Sequence, residues 1–198
     1  MQRMMIGLMA VWLGALFAGT GITGDTQKFK GKNIDRKDFA GENFEKHNFE
    51  GASCFLTNFR QCKLAGANFK DANLESATMT GADLSGADLR DALLKFTGLQ
   101  EAKLIKANLE GQDFKNIAVL YKTDFREANM KNTKNYVDIN MADFRGADLR
   151  GAKMLDVKNI ETANFKGAKY DKTTRFPASF DPGDAGLVLV EGDKDAKK

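Results

Sequence analysis

The chain has 198 residues, with Lys+Arg 30 against Asp+Glu 27, a net charge of +3 and 42% apolar residues. That length fits one domain or one repeat array, and the apolar share excludes a globally disordered chain. The near-balance of charge gives no strong basic face for nucleic acid and no acidic surface that would imitate one.

The N-terminus stands apart in composition. Arg3 precedes an apolar run, Met4 to Ala18, and then come Gly19, Thr20 and Gly21. A short positive start, an apolar stretch and small residues beyond it read as a signal peptide over residues 1–24, with Ala18, Thr20 and Gly21 as possible ends. The alternative is an uncleaved anchor over residues 4–24, because this uncharged stretch just reaches the ~20 residues a spanning helix needs. No cysteine adjoins the run, so a lipid linkage is not indicated. The expected location is the periplasm or a thylakoid lumen, or the membrane if the segment stays uncleaved.

From Phe29 an apolar residue falls at every fifth position: Phe29, Ile34, Phe39, Phe44, Phe49, Cys54, Phe59, Leu64, Phe69 and onward to Leu109 and Phe114, without a slip. A second series, two residues earlier, is small: Ala52, Thr57, Cys62, Ala67, Ala72, Ala77 and on to Ala107. Asn or Asp is common between the two, as at Asn68, Asp83 and Asn108, and Gly often closes the unit. A strand puts residues five apart on opposite faces, and on a helix they spiral around the rod. A chain that turns once per pentad keeps both series inside and the Asn/Asp outside, with Gly supplying a tight turn. Stacked turns bury ladders of like residues, with backbone hydrogen bonds between coils.

Ala-Asp-Leu-Ser-Gly (82–86), Ala-Asp-Leu-Arg-Asp (87–91), Ala-Asn-Leu-Glu-Gly (107–111) and Ala-Asp-Leu-Arg-Gly (147–151) resemble the signature of the pentapeptide-repeat family. The ending through Ala168, Thr174-Arg-Phe-Pro and Phe180-Asp-Pro is similar to a common terminator of such arrays. The resemblance implies an all-β fold: a right-handed quadrilateral β-helix, or β-solenoid, with four pentapeptides per coil, over residues 25–182 and about seven coils. Residues 183–198 read as a C-terminal cap and a flexible tail.

The period then breaks. With Val119 as the next bulky residue after Phe114, the step to Phe125 is one residue too long. The step from Met130 to Ile139 is one too short, and from Met154 to Ile160 one too long. Lys122 and Val157 are the expected outward bulges, and Tyr136 sits at the shortened unit. Gln27, Lys32, Lys37, Glu42 and His47 hold the small-residue position of the first coil, which therefore reads as a loose polar cap. Phe176, Phe180 and the run 187–190 are expected to cover the last coil.

The residues of an active centre are missing. The single histidine, His47, and two cysteines make no usual zinc site, no Ser-His-Asp motif is visible, and the glycines follow the repeat rather than a phosphate loop. No catalytic residue, cofactor or metal is expected. In the four-pentad coil that the resemblance implies, Cys54 and Cys62 fall on opposite walls, and they read as two buried thiols rather than a disulfide. Some outward positions are apolar. Phe55, Leu56, Leu93, Phe96, Tyr136 and Leu155 count onto one wall, with Leu120, Tyr121 and Met141 on the next, a candidate partner-binding strip. The chain thus reads as a non-catalytic extracytoplasmic interaction or scaffolding module for an unknown protein partner, with end-to-end homodimerisation open to it. The alternative class, a DNA-mimicking topoisomerase modulator, is disfavoured by the leader and by the charge of +3.

Overall fold

The computed structural model describes residues 25–117 and 120–191. Residues 1–24, where a leader is expected, residues 118–119 with the expected bulky Val119, and residues 192–198 lie outside the described residues. The regular five-residue units make the same moves. The small and the bulky residue point inward, as Ala67 and Phe69 do, both fully buried. The chain then turns, and the N–H three residues past the bulky one bonds back to its carbonyl, as from Thr57 to Cys54 (3.1 Å) or Ala67 to Leu64 (3.0 Å). The second turn residue is left-handed, which Gly meets without a steric penalty at Gly66 (φ 69°) and Gly86 (φ 68°).

The Asn/Asp preference has a local cause. The side-chain oxygen of the residue between the two inward positions accepts the N–H two residues on. Examples are Asp83 from Ser85 (3.0 Å), Asn68 from Lys70 (3.0 Å) and Asp143 from Arg145 (3.1 Å). Either oxygen type serves, so Asp and Asn interchange, and a Lys or Leu there leaves that N–H without this cap.

The same residues stack in parallel as four outward columns, one per wall. Wall 1 carries Asn48, Asn68, Asp88, Asn108, Asn129 and Asp148. Wall 2 carries Asn33, Ser53, Asn73 and Leu93 and then Asp113, Lys134, Lys153 and Arg175. Wall 3 carries Asp38, Asn58, Thr78 and Gly98, and wall 4 carries Asn43, Lys63, Asp83, Lys103, Asp124, Asp143 and Asn164. Partners are 20 residues apart up to the pair Asp88–Asn108, so four pentads make one coil.

The spacing then changes to 21 at Lys103–Asp124, 19 at Asp124–Asp143 and 22 at Lys153–Arg175. The interruptions are absorbed at other residues than expected. Ile117 and Leu120, three residues apart in place of the usual two, both face the core, and Lys122 is an ordinary left-handed turn residue (φ 53°). Leu120 is therefore the bulky core residue of its unit and not an outward one. At the shortened unit Asn135 turns left-handed (φ 55°) and Tyr136 swings inside, only 3% exposed, against Phe114 at 5.0 Å. Its hydroxyl bonds the Thr133 hydroxyl, so Tyr136 is a core residue and leaves the candidate strip. Near the end Val157 holds the small position, packed on the core, and the extra residue is Asn159 (φ 57°), which leads into a short 3-10 turn, Ile160–Thr162.

The interior is built of like-on-like ladders. Phe29, Phe49 and Phe69 stack at 4.9 and 4.6 Å, and Phe125, Phe144 and Phe165 at 5.0 Å each. Polar residues at small positions are satisfied from within. Thr57 donates to the carbonyl of Ile34, Thr97 to Leu74 and Thr123 to Leu99, one coil below. The first coil pairs with the second in the ordinary register from Asn33 on, but its large polar residues Gln27, Lys32, Lys37 and Glu42 stay exposed at the rim, where later coils bury a small residue. At the other end β1 (Lys169–Tyr170) pairs in parallel with β2 (Val188–Leu189), while Phe176 and Phe180 pack beside Tyr170 and Phe165.

Candidate interaction surface

Wall 2 collects Leu56, Leu93, Phe96 and Leu155, four of the seven large apolar residues exposed among the described residues; Met141 stands on the next corner and Val188 and Leu189 in the C-terminal strand. Leu93 holds a column position that elsewhere carries a capping Asn or Asp. Leu56 and Phe96 are second turn residues, Phe55 and Leu155 first ones. Leu56, Leu93, Phe96 and Leu155 are 45–55% exposed, and Phe55 is half-buried. Coil-to-coil bonds tie their corners together: Leu56 N–H to the Glu75 carbonyl (3.1 Å) and Phe96 N–H to the Asn116 carbonyl (2.8 Å). Ser76 stands between Leu56 and Phe96, which puts those two side chains about 10 Å apart along the rod. Lys95 pairs with Glu75 (3.3 Å) and lies 5.0 Å over the Phe96 ring.

The adjacent corner carries Tyr121, half-buried, and Met141, 52% exposed. Met141 donates its N–H to the Thr162 hydroxyl (3.0 Å). Leu56 (φ 57°), Phe96 (φ 59°) and Met141 (φ 57°) are all left-handed. That conformation costs a bulky side chain on the order of 1 kcal/mol relative to Gly. Three large apolar residues thus sit exposed where Gly or Asn is the easier choice.

Elsewhere on the outer columns several Asp residues are paired with the Arg two residues on. Arg90 chelates Asp88, Arg126 Asp124, Arg145 Asp143 and Arg150 Asp148, each at 2.6–2.7 Å. The Arg90 guanidinium holds the Asp88 carboxyl below its ordinary value. Asp143 and Asp148 are also lowered: partial burial pushes them up, and the bonds from Arg145 and Arg150 outweigh it.

The buried titratable groups are structural. His47 is 4% exposed, lies against Phe29 and Phe44, and its Nδ1 is 3.1 Å from the Glu45 carbonyl. Cys54 and Cys62 are free and buried on opposite walls. Burial pushes the Cys54 thiol up to about 12 and the Cys62 thiol up to about 11. Cys62 Sγ also donates to the Phe39 carbonyl (2.9 Å). Among the described residues, no group of three or more His, Cys, Asp and Glu is placed to hold a metal ion. An open cleft at the C-terminal end runs between Phe165, Asn164, Phe180 and Asp184.

A solenoid of four stacked outward columns with side-chain-capped turns defines the class. A family model described as pentapeptide repeats matches eight copies over residues 52–91 and 92–134, so the chain carries that family's repeats. Such proteins are right-handed quadrilateral β-helices. Solved structures with similarity include QnrB1, a plasmid-mediated fluoroquinolone resistance protein, at 22% identity over 84% of this chain and 86% of that one, TM-score 0.37. A pentapeptide repeat protein from the Arabidopsis thaliana thylakoid lumen is 27% identical over 70% and 75%, TM-score 0.25. One from Nostoc PCC 7120 is 26% identical over 72% and 84%, TM-score 0.30. No curated protein matches the chain.

Proposed function

We propose that this protein is a non-catalytic, exported interaction module of about seven coils that engages a protein partner along wall 2. The observation that carries the reading is the placement of Leu56, Leu93 and Phe96: exposed, on one wall, at a column position that gives up a backbone cap or at strained turn positions. Rigid apolar side chains held on a stiff scaffold lose little entropy on binding and suit the centre of an interface. Phe55 and Leu155 extend the strip along the wall, and Tyr121 and Met141 flank it.

The apolar run Met4–Ala18 behind Arg3 supports export, and sequencing the N-terminus of the protein from an envelope fraction tests it. A mature end between Ala18 and Gly24 is the expected result. The partner reading is tested by affinity capture from that fraction with the wild type and with a Leu93→Ser, Phe96→Ser double variant. Equal capture by both proteins would sink it. A topoisomerase modulator that mimics DNA needs a long run of unneutralised acid, and the Asp–Arg pairs on walls 1 and 4 leave no such run there.

A further inference from the structure

Wall 2 changes character along the rod. Phe55, Leu56, Leu93 and Phe96 lie in its second and fourth coils and Leu155 lower down, and after Asp113 its column reads Lys134, Lys153, Arg175 in direct succession. Parallel backbone bonds hold the three in register: Lys153 N–H to the Thr133 carbonyl (2.8 Å), Arg175 N–H to the Ala152 carbonyl (2.8 Å). The cations therefore repeat every ~4.8 Å, the spacing of neighbouring strands. Like charges directly opposite across strands destabilise a sheet.

On the other walls this repulsion is avoided or cancelled. Wall 4 alternates Lys63, Asp83, Lys103, Asp124. Where it sets Asp124 over Asp143, each carboxylate has its own arginine, at 2.7 and 2.6 Å. In the wall 2 run, Lys134 alone has a carboxylate, Asp113 at 3.7 Å. Lys153 and Arg175 are exposed and have no acidic partner among the described residues. Arg175 is also held ready: its Nη1 donates to the carbonyls of Lys172 (2.7 Å) and Thr174 (3.0 Å), which fixes the guanidinium and leaves its other face to the solvent. All three cations stand where Asn or Asp otherwise caps a backbone N–H, so they forgo that bond as well. Exposed Leu155 lies two residues past Lys153.

We propose that this column is a docking site for an acidic segment of a partner protein, laid along the rod so that its carboxylates meet Lys134, Lys153 and Arg175 and an apolar side chain meets Leu155. Charge complementarity selects the occupant, and the shape of the site narrows it. The column is one cation wide: on one side Arg150 and Lys131 are already committed to Asp148 (2.7 and 3.6 Å) and Lys172 adjoins Arg175, and on the other side stands Asp156. A single file suits one peptide chain, whereas a membrane surface or a nucleic acid backbone calls for a broad basic face. The proposal rests on the partner-binding reading of wall 2 and names the chemistry of the partner's end that reaches the lower coils.

The test uses the full chain and a fluorescent synthetic peptide rich in Glu with one Leu, read by anisotropy. Binding is expected, weakening about tenfold or more from low to high salt as screening sets in. A Lys153→Glu, Arg175→Glu variant is expected to lose it by at least about tenfold, with an unchanged melting curve showing that the rod is intact. The milder Lys153→Gln, Arg175→Gln variant should fall between. No binding, or binding equal in wild type and charge-reversed protein, overturns the proposal. So does a stronger, reversal-sensitive interaction with vesicles of anionic lipid or with single-stranded DNA. The Leu93→Ser, Phe96→Ser protein separates the two readings: if it keeps both envelope capture and the acidic peptide, the apolar strip falls and the basic column stands.

Discussion

At the residue scale the candidate surface and the fold compete, and the competition is measurable. Phe96 sits in the left-handed region (φ 59°) with its ring 53% exposed, so it gives the fold little and strains its own backbone. Phe96→Gly relieves that strain and loses some chain entropy in return. The net expectation is a gain of about 0.5–1 kcal/mol in urea-unfolding stability together with weaker partner capture. A loss of stability would show that the ring packs on the wall. The two thiols make a pH prediction. Both are raised from 9.0, to about 12 for Cys54 and about 11 for Cys62, by burial first. A group with a raised native value binds its proton more tightly when folded. Its stability is fully present below pH 9 and is lost as pH climbs through the native values. The urea midpoint of the wild type should therefore fall from pH 9 upward, and that of a Cys54→Ala, Cys62→Ala protein should fall less. Alkylation of both thiols at neutral pH should require unfolding.

At the scale of the pentad and the coil, the polar residues inside show what holds one turn on the next. Thr97 donates its hydroxyl to the Leu74 carbonyl (2.8 Å), which already accepts the Ala77 N–H (2.9 Å). Thr97→Val keeps the shape and removes the added bond, so it should cost about 1 kcal/mol by denaturant unfolding. The regular coils were legible in the sequence because one rule repeats: small, capped, bulky, turn. Where the rule holds, inward and outward positions follow from the spacing, and Leu56, Leu93, Phe96 and Leu155 all stand exposed as read. Where it breaks, spacing fixes how many residues are added or lost and not which residue moves. Tyr136 shows why. A four-residue unit can drop its bulky position or refill it, and the choice fell to packing, since the Phe114 ring and the Thr133 hydroxyl make a home for a tyrosine inside. Leu120 and Val157 were misplaced for the same reason, each by a single residue of register. The cationic column was missed because Lys134, Lys153 and Arg175 are 19 and 22 residues apart, and only the coil lengths bring them into line.

For the whole molecule the decisive matter is how the rod ends. A stack of coils carries its hydrogen bonds from turn to turn, so each end exposes a row of unpaired backbone groups that invites another chain. At the start the rim is dressed with Gln27, Lys32, Lys37 and Glu42, whose polar side chains make that edge unattractive to an apolar strand. At the finish the edge of wall 1 is closed by β2, where Val188 N–H bonds the Ala168 carbonyl (2.8 Å) and Val190 N–H the Tyr170 carbonyl (2.7 Å). Leu187, 8% exposed, anchors the strand. Replacing Val188 by Pro deletes the first of these bonds and bars the strand from the edge. Only this end is touched, and in a stack where each coil contacts its neighbours the loss stays local. The expected outcome is a main unfolding transition lowered by no more than about 1–2 kcal/mol, with concentration-dependent self-association by light scattering as the freed edge of Lys169 and Tyr170 finds other chains. A monomeric variant with wild-type scattering would mean that Phe176 and Phe180 close the rod without the strand.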